Sequence, residues 1–485
     1  MTEFDLILRN GTVIDGAGTP RRAADVAIRG DRIAAIGDLS GDTGAVEIDA
    51  AGLIVAPGFI DVHTHDDHAL LSKPDMAFKV SQGVSTVVVG NCGLSLAPLQ
   101  FAGDNPPPPL DLLGDGYRFP RMADFFDALE ETPPALNAAA LVGHSTLRVG
   151  AMDDLDRPAT ESEIADMREQ LSEALDAGAI GMSTGLYYDP AKAAPTKEII
   201  ELAELLGPAN GLYTTHLRDE GEQLQPAMEE AFEIGRAAGV KVVLSHHKSS
   251  GTPNFGKTVE SLALIEKTRK EQPVTLDVYP YDASSTVLQM ERVGVSKRTI
   301  VTWSKPHPEM AGRDLSDIAA EMGCDEAAAA QALQPAGAIY FMMDEADVRR
   351  VLEYPHAMVA SDRLPHDEFP HPRLWGTFPR VLGHYSRDLG LMPLEEAVRR
   401  MSGLPAAEFG LTGRGVLATG NYADIVLFDA DSVADMADFE HPTEAAAGIS
   451  LVVVNGKIIW RDGRPTGARP GKALRRQSLQ AEAKS

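Results

Sequence analysis

Over the first 55 residues, short apolar runs alternate with turn pairs: Leu6-Ile7-Leu8 before Asn10-Gly11, Thr12-Val13-Ile14 before Asp15-Gly16, Asp25-Val26-Ala27-Ile28 before Gly30-Asp31, then Ile33-Ala34-Ala35-Ile36. Asn-Gly and Asp-Gly between apolar runs are hairpin signals, because both pairs tolerate the positive φ of a tight turn. The same texture returns in Ala423–Phe428 and in Ser450–Trp460. This pattern predicts one small β-sandwich domain assembled from both chain ends, residues 1–56 and 413–485.

Between those ends the period changes. Helical spacing in Glu161–Ala177, Thr196–Leu206, Leu224–Ala238 and Val259–Lys270 precedes strand-like runs that close at Ser183, His216, His246 and Tyr279. The repeat of roughly 30 residues is that of a βα unit in a barrel of eight parallel strands. The predicted middle is therefore an α/β fold, a (β/α)8 TIM-like barrel over 57–412. Residues 285–343 break the rhythm and contain helical runs at Asp314–Met322 and Asp325–Leu333, which predicts an insertion capping one mouth. Gly103–Leu113, with Pro106 to Pro109, reads as an ordered surface loop.

Composition narrows the partners. The chain has 485 residues, with 44 Lys+Arg against 71 Asp+Glu and a formal charge of −27. Such a length exceeds one compact core. Such a charge argues against nucleic acid and anionic membranes, which need basic patches to release counterions. No apolar run of about 20 residues predicts a membrane span. Cys92 and Cys324 cannot form a disulfide framework, and Met1-Thr2-Glu3-Phe4 opens no export signal, so a cytoplasmic location is expected. The basic stretch Lys472 to Arg476 reads as a solvated terminus.

Candidate chemistry gathers at the predicted strand ends. In a strand, residues i and i+2 share a side, so His63 and His65 in Gly58-Phe59-Ile60-Asp61-Val62-His63-Thr64-His65 present two imidazoles to one point. Paired imidazoles suit a divalent transition metal, zinc above all. Cys92, His216, His246 and Asp362 each end an apolar run, where catalytic groups collect in such barrels. His144 also ends such a run, and it either lines the pocket or supports it. His247 should point away from His246 and pack. Cys324, among Ala and Glu on a predicted helix, reads as a small buried hydrophobe. His68, His307, His356 and His441 receive no role.

The sequence resembles the amidohydrolase superfamily, and within it the N-acyl-D-amino-acid deacylases. The resemblance is carried by GFIDVHTHDD at 58–67, GVSTVVVGNCGLSLAP at 83–98, VGHSTLR at 142–148, THLRDEGE at 215–222, SHHK at 245–248, SDRLPHD at 361–367 and HPRLWGTFPRVLGHY at 371–385. It implies a zinc-dependent hydrolase of N-acyl-D-amino acids. One zinc would be tightly held on Cys92, His216 and His246, and a second, weaker metal position would lie near His63 and His65 with Cys92 able to bridge. Asp362 would be the catalytic aspartate. Cyclic amidases of hydantoinase type bridge two metals with a carboxylated lysine on the fourth strand. Here that strand reads Gly181-Met182-Ser183-Thr184-Gly185, which ranks a cyclic amidase second. A non-catalytic scaffold of the same fold is the remote alternative.

The implied substrate is a small anion whose α-carboxylate needs a cation or several donors, because a buried unpaired charge costs several kcal/mol. Lys248, two residues after His246, is the first candidate, followed by Tyr279 and Arg373. Tyr187 and His144 are added as candidate substrate contacts. Arg363 departs from the family pattern, in which glycine follows the aspartate. It strains a turn where glycine would serve positive φ, lowers the pKa of Asp362, reaches an acidic substrate side chain, or points outward. Side-chain preference and oligomeric state are left open by the sequence.

Overall fold

The computed structural model describes residues 3–101, 103, 106–113, 118–363 and 367–476. Parts of the Gly103–Leu113 loop, of the 361–367 motif and of the 413–485 segment lie outside the described residues.

Eight short strands carry the centre of the molecule. In chain order they are Phe59–Asp61, Val84–Val89, Asn137–Ala140 with its continuation Val142–Gly143, Gly181–Gly185, Leu212–His216, Val242–Leu244, Val274–Val278 and Ala357–Val359. Every residue in them is buried, which explains their near-continuous apolar runs. They pair in parallel as two arcs, one of the first three strands and one running from Val142–Gly143 to Ala357–Val359. Ile180 N donates to Ala140 O at 2.9 Å and joins the arcs on one side. On the other side Asp362 N donates to His63 O at 2.9 Å.

The helices fall between the strands where the 3.6-residue period predicted them, at Glu161–Ala177, Thr196–Ala203, Leu224–Ala238 and Thr258–Thr268. The first opens on a capping box, with Thr160 accepting from Glu163 N and Glu163 reaching back to Thr160 N.

Strands from both chain ends form one nine-stranded sheet. Its order runs Arg464–Pro465, Lys457–Arg461, Ile449–Val454, Ile425–Phe428, Ile54–Pro57, Glu3–Val13, Arg22–Arg29 and Arg32–Gly37, with Thr43–Asp49 also paired to Glu3–Val13. The Asn10-Gly11 pair does not turn the chain, contrary to the hairpin expected there. Asn10 takes φ +60° inside one continuous strand, and the register slips between Leu8 and Gly11. Positive φ here makes a bulge instead of a hairpin. Arg414 ties this sheet to the barrel: it is ion-paired with Asp424 and donates to Asn455 Oδ1 at 3.0 Å, while Asn455 Nδ2 donates to Asn137 Oδ1 at 2.7 Å.

Within 285–343 the two helical runs lie at Leu315–Met322 and Glu326–Ala332. They accompany a three-stranded antiparallel sheet, Ala283–Val287, Ala336–Phe341 and Thr299–Ser304, that periodicity did not indicate. Cys324 sits exposed between the two helices, not buried as expected. The basic stretch is not a loose terminus either. Leu474 is buried with its N–H on Ala138 O, Arg475 pairs with Asp127 and Glu130, and Arg476 donates to Ala209 O and Leu175 O. No helix among the described residues is long and apolar enough to cross a membrane.

Candidate metal centre

At the C-terminal mouth of the barrel, His63 Nε2 lies 3.2 Å from Cys92 Sγ, and His246 Nε2 lies 3.4 Å from the same sulfur. Asp362 Oδ1 is 3.4 Å from His63 Nε2 and 3.6 Å from His65 Nε2. Among the described residues two sets of groups could hold a cation: His63, Cys92, His246 and Asp362, and separately His216, Glu220 and His246, with ligand atoms in each set within 4.8 Å of one another. The rings of His216 and His246 stand 4.4 Å apart. His65 contacts Asp362 but belongs to neither set.

Three of these groups have backbones that side chains rarely adopt: φ is +53° at Cys92, +36° at His246 and +45° at Asp362. Each follows the last residues of a strand, so the left-handed turn aims the side chain over the barrel axis at a local cost of order 1–3 kcal/mol. The fourth strand ends in glycine because a Cβ on Gly185 would lie 2.1 Å from Cys92 O. A bulky residue at the end of that strand would collide with the cysteine turn.

Partners behind the imidazoles fix their orientation. His63 Nδ1 stands 3.3 Å from the Asp277 carboxylate, and His246 Nδ1 is 2.9 Å from Glu220 Oε1. Each carboxylate holds its ring so that Nε2 faces Cys92, and Lys248 Nζ stands 2.7 Å from the same His246 Nδ1. Asp277 Oδ1 also accepts from His246 N at 2.7 Å, holding the turn itself. Burial opposes ionisation of Cys92, but the surrounding His63, His246 and His216 hold its thiol well below the usual range. Burial likewise pushes the Asp362 carboxyl up, and Arg373, His246 and His63 outweigh it to keep it ionised. Arg373 Nη1 donates to Asp362 Oδ2 at 2.8 Å.

A cavity opens over this centre, lined by His65, His216, His246, Lys248, Tyr279, Asp362 and Arg373, with Leu94, Pro109, Tyr188, Arg292 and the hydroxyl residues Ser284, Ser285 and Thr286. Of its three Lys and Arg side chains, Lys248 pairs with Glu220 at 2.6 Å and Arg373 with Asp362. Among the described residues Arg292 has no carboxylate partner. Its Nε is 3.1 Å from both Tyr187 Oη and Gln289 Oε1, and its plane lies over the Tyr187 ring. Tyr279 Oη and Ser285 Oγ belong to residues lining the same cavity, buried and without hydrogen-bond partners among the described residues.

The remaining expected contacts fall elsewhere. His144 is not in the cavity: its Nε2 is 3.0 Å from Glu198 Oε1, which also takes Arg148, in a buried cluster behind the fourth strand. Tyr187 stands behind Arg292 and does not line the cavity. Arg363 is buried, not pointing outward, and is turned onto Asp367 at 2.6 Å, also off the cavity wall. Replacing it by glycine is therefore expected to leave the ratio of kcat/KM for acidic and apolar substrates unchanged within about twofold, as measured on N-acetyl-D-glutamate and N-acetyl-D-leucine. His247 packs against Ser261 Oγ at 2.8 Å. Glu220, Asp277, Tyr188 and Arg292 were not indicated by the sequence. Glu220 had the one available signal, its place four residues after His216 in THLRDEGE.

The family model for amidohydrolases matches residues 46–273 and 307–460. A D-aminoacylase from Alcaligenes xylosoxydans xylosoxydans is 59% identical over 475 residues, covering 98% of both chains. The chain belongs to the amidohydrolase family. Within that family its similarity is to the D-amino-acid deacylases, for an N-acyl-D-glutamate deacylase of the same organism is 49% identical over 477 residues, covering 98% of this chain and 97% of the relative. A crystal structure of D-aminoacylase superposes with a TM-score of 0.95 at 58% identity, covering 97% of this chain and all of that one. An N-acyl-D-glutamate deacylase from Bordetella bronchiseptica, solved with zinc and a phosphonate mimic of the tetrahedral intermediate, gives the same TM-score at 47% identity, covering 98% of this chain and 100% of that one. An L-hydantoinase from Arthrobacter aurescens, at 16% identity and TM-score 0.61 over 97% of this chain and 100% of that one, shares the amidohydrolase fold.

Proposed function

We propose that the protein hydrolyses the amide bond of N-acyl-D-amino acids in a zinc-dependent reaction, giving a carboxylate and the free D-amino acid. The observation that carries this reading is a thiol, imidazoles and a carboxylate converging under a cavity that also holds an arginine without a carboxylate partner among the described residues.

The donor set suits zinc, which takes sulfur and nitrogen ligands. Among the described residues both ring nitrogens of buried His216 lack a hydrogen-bond partner, as does Glu220 Oε2, 3.7 Å from its Nε2, a cost that a bound cation would remove. Cys92, His216 and His246 would hold the tight ion, with Cys92 shared towards a weaker position at His63 and His65. A zinc ion held by these residues would supply Lewis acidity for the amide carbonyl and lower the pKa of water from ~15.7 towards ~7.

The chain's own groups do the rest. Asp362, kept ionised beside Arg373, accepts the proton of the attacking water and returns it to the leaving nitrogen. Arg292, Lys248 and the free hydroxyl of Tyr279 receive the α-carboxylate. The N-acyl-D stereochemistry is that named for the relatives at 59% and 49% identity.

The side-chain class follows from the charges. With Lys248 and Arg373 already paired and Arg292 taken by the α-carboxylate, a second substrate carboxylate would find no further cation among the described lining residues. A buried unpaired carboxylate costs several kcal/mol. N-acetyl-D-leucine is expected to exceed N-acetyl-D-glutamate in kcat/KM by about 10²-fold; equal values would remove the argument.

Metal removal tests the whole reading. Dialysis against a chelator is expected to abolish hydrolysis of N-acetyl-D-leucine, and added zinc to restore it. Unchanged turnover in metal-free protein would sink the proposal. Hydantoins in the same assay separate the cyclic-amidase alternative, and no turnover of them is expected.

A further inference from the structure

Between the eighth strand and the first, no strand ladder closes the barrel among the described residues. The joint is made by contacts just beyond the strands and by one side chain. Asp61, buried at the end of the first strand, accepts through Oδ1 from Ser361 N at 3.0 Å and from His63 N at 3.4 Å. Its Oδ2 takes Lys79 Nζ at 2.7 Å, and the same ammonium reaches Ser361 Oγ at 2.5 Å and Asp66 Oδ2 at 3.4 Å. Lys79 is itself fully buried, so this cation has been brought into the core to serve these groups.

The position of this cluster matters more than its charge. Ser361 directly precedes Asp362, and His63 is two residues from Asp61. One carboxylate oxygen therefore ties together the backbone that aims the proposed proton carrier and the backbone that aims an imidazole facing Cys92. Asp362 N in turn donates to His63 O at 2.9 Å, and His65 N to Arg363 O at 3.3 Å, continuing the joint outward. Asp362 holds φ +45°, a conformation that persists only when its surroundings over-determine it. Asp61 is part of those surroundings; it does not line the cavity and offers no ligand atom to either set, reaching the centre through the backbone of His63 and Ser361.

We propose that Asp61, held and charge-balanced by Lys79, is a positioning residue for catalysis: it clasps the eighth strand to the first and so keeps Asp362 over the centre. This rests on the role given to Asp362 above. Removing Lys79 alone would leave buried carboxylates uncompensated and could prevent folding, so the test uses paired variants of equal charge. D61N/K79M keeps the acceptor oxygen and removes both charges. D61A/K79M removes the acceptor as well.

On zinc-loaded protein with N-acetyl-D-leucine, D61N/K79M is expected to keep kcat within about threefold of the parent. D61A/K79M is expected to lose about 30-fold in kcat with KM within threefold and zinc content unchanged. The crystal structure of D61A/K79M should show the Asp362 N to His63 O contact opened beyond hydrogen-bond length. Equal kcat in the two variants, a fall in zinc that parallels the fall in kcat, or an unchanged joint in the crystal would each overturn the proposal. A parent that fails to hydrolyse N-acetyl-D-leucine would instead overturn the preceding functional reading, while the crystal contact and zinc content still decide the clasp.

Discussion

Asp362→Asn is expected to lower kcat by about 10³-fold, with zinc content and melting temperature close to those of the parent. Asparagine preserves the shape of the side chain and is, with aspartate, among the residues that best tolerate the left-handed φ of +45° found here. Its amide can still accept from Arg373 through the carbonyl oxygen. What it cannot do is take a proton from water and give it to a leaving nitrogen. A general acid–base group contributes 10²- to 10⁴-fold, so the loss falls in kcat and not in substrate affinity. If the variant kept near-parental turnover with metal bound, the proton carrier must be sought elsewhere.

Arg292→Met is expected to reduce kcat/KM for N-acetyl-D-leucine by about 10²-fold. Methionine retains an apolar stem against Tyr187 and Tyr340, over whose rings the guanidinium now lies at 4.5 and 6.0 Å. It leaves the substrate carboxylate facing Lys248, whose charge is shared with Glu220. Truncating one partner of a buried charged pair costs 2–5 kcal/mol, which brackets the expected factor. The corresponding N-acetyl-D-leucinamide, lacking the carboxylate, should be a poor substrate for both proteins and should lose little on the substitution. If amide and acid lost equally, Arg292 would be shaping the cavity instead of receiving the charge.

The residues proposed for the centre could be named before the fold because each sits where a local pattern ends. His63 and His65 share a side through the two-residue period of a strand, and Cys92, His216, His246 and Asp362 follow apolar runs that stop abruptly. Their supporting groups follow no such rule. Asp277 lies inside a strand, where it reads as an odd polar residue in an apolar run. Arg292 belongs to the inserted segment, whose path over the mouth no periodicity encodes. Arg363 and His144 show the converse, since each stands next to the right element in sequence but is turned onto a carboxylate outside the cavity, Asp367 or Glu198.

The excess of acidic residues had a similarly local limit. A charge of −27 argues against polyanionic partners, yet the cavity proposed for an anionic substrate is served by Lys248, Arg292 and Arg373. Fields inside a buried site are set by the few charges that line it, because water and salt screen those outside.

By itself the sequence determined the alternation of helix and strand, the pairing of the two chain ends in texture, and the chemical types gathered at strand ends, since these depend on period and residue identity alone. Only the tertiary structure decided that Asn10-Gly11 bulges instead of turning, that Arg292 is the cavity cation without a carboxylate, and that Asp61 and Lys79 close the barrel. Those outcomes depend on how the eighth strand meets the first and where loops cross, contacts between residues far apart in the chain that no local period records.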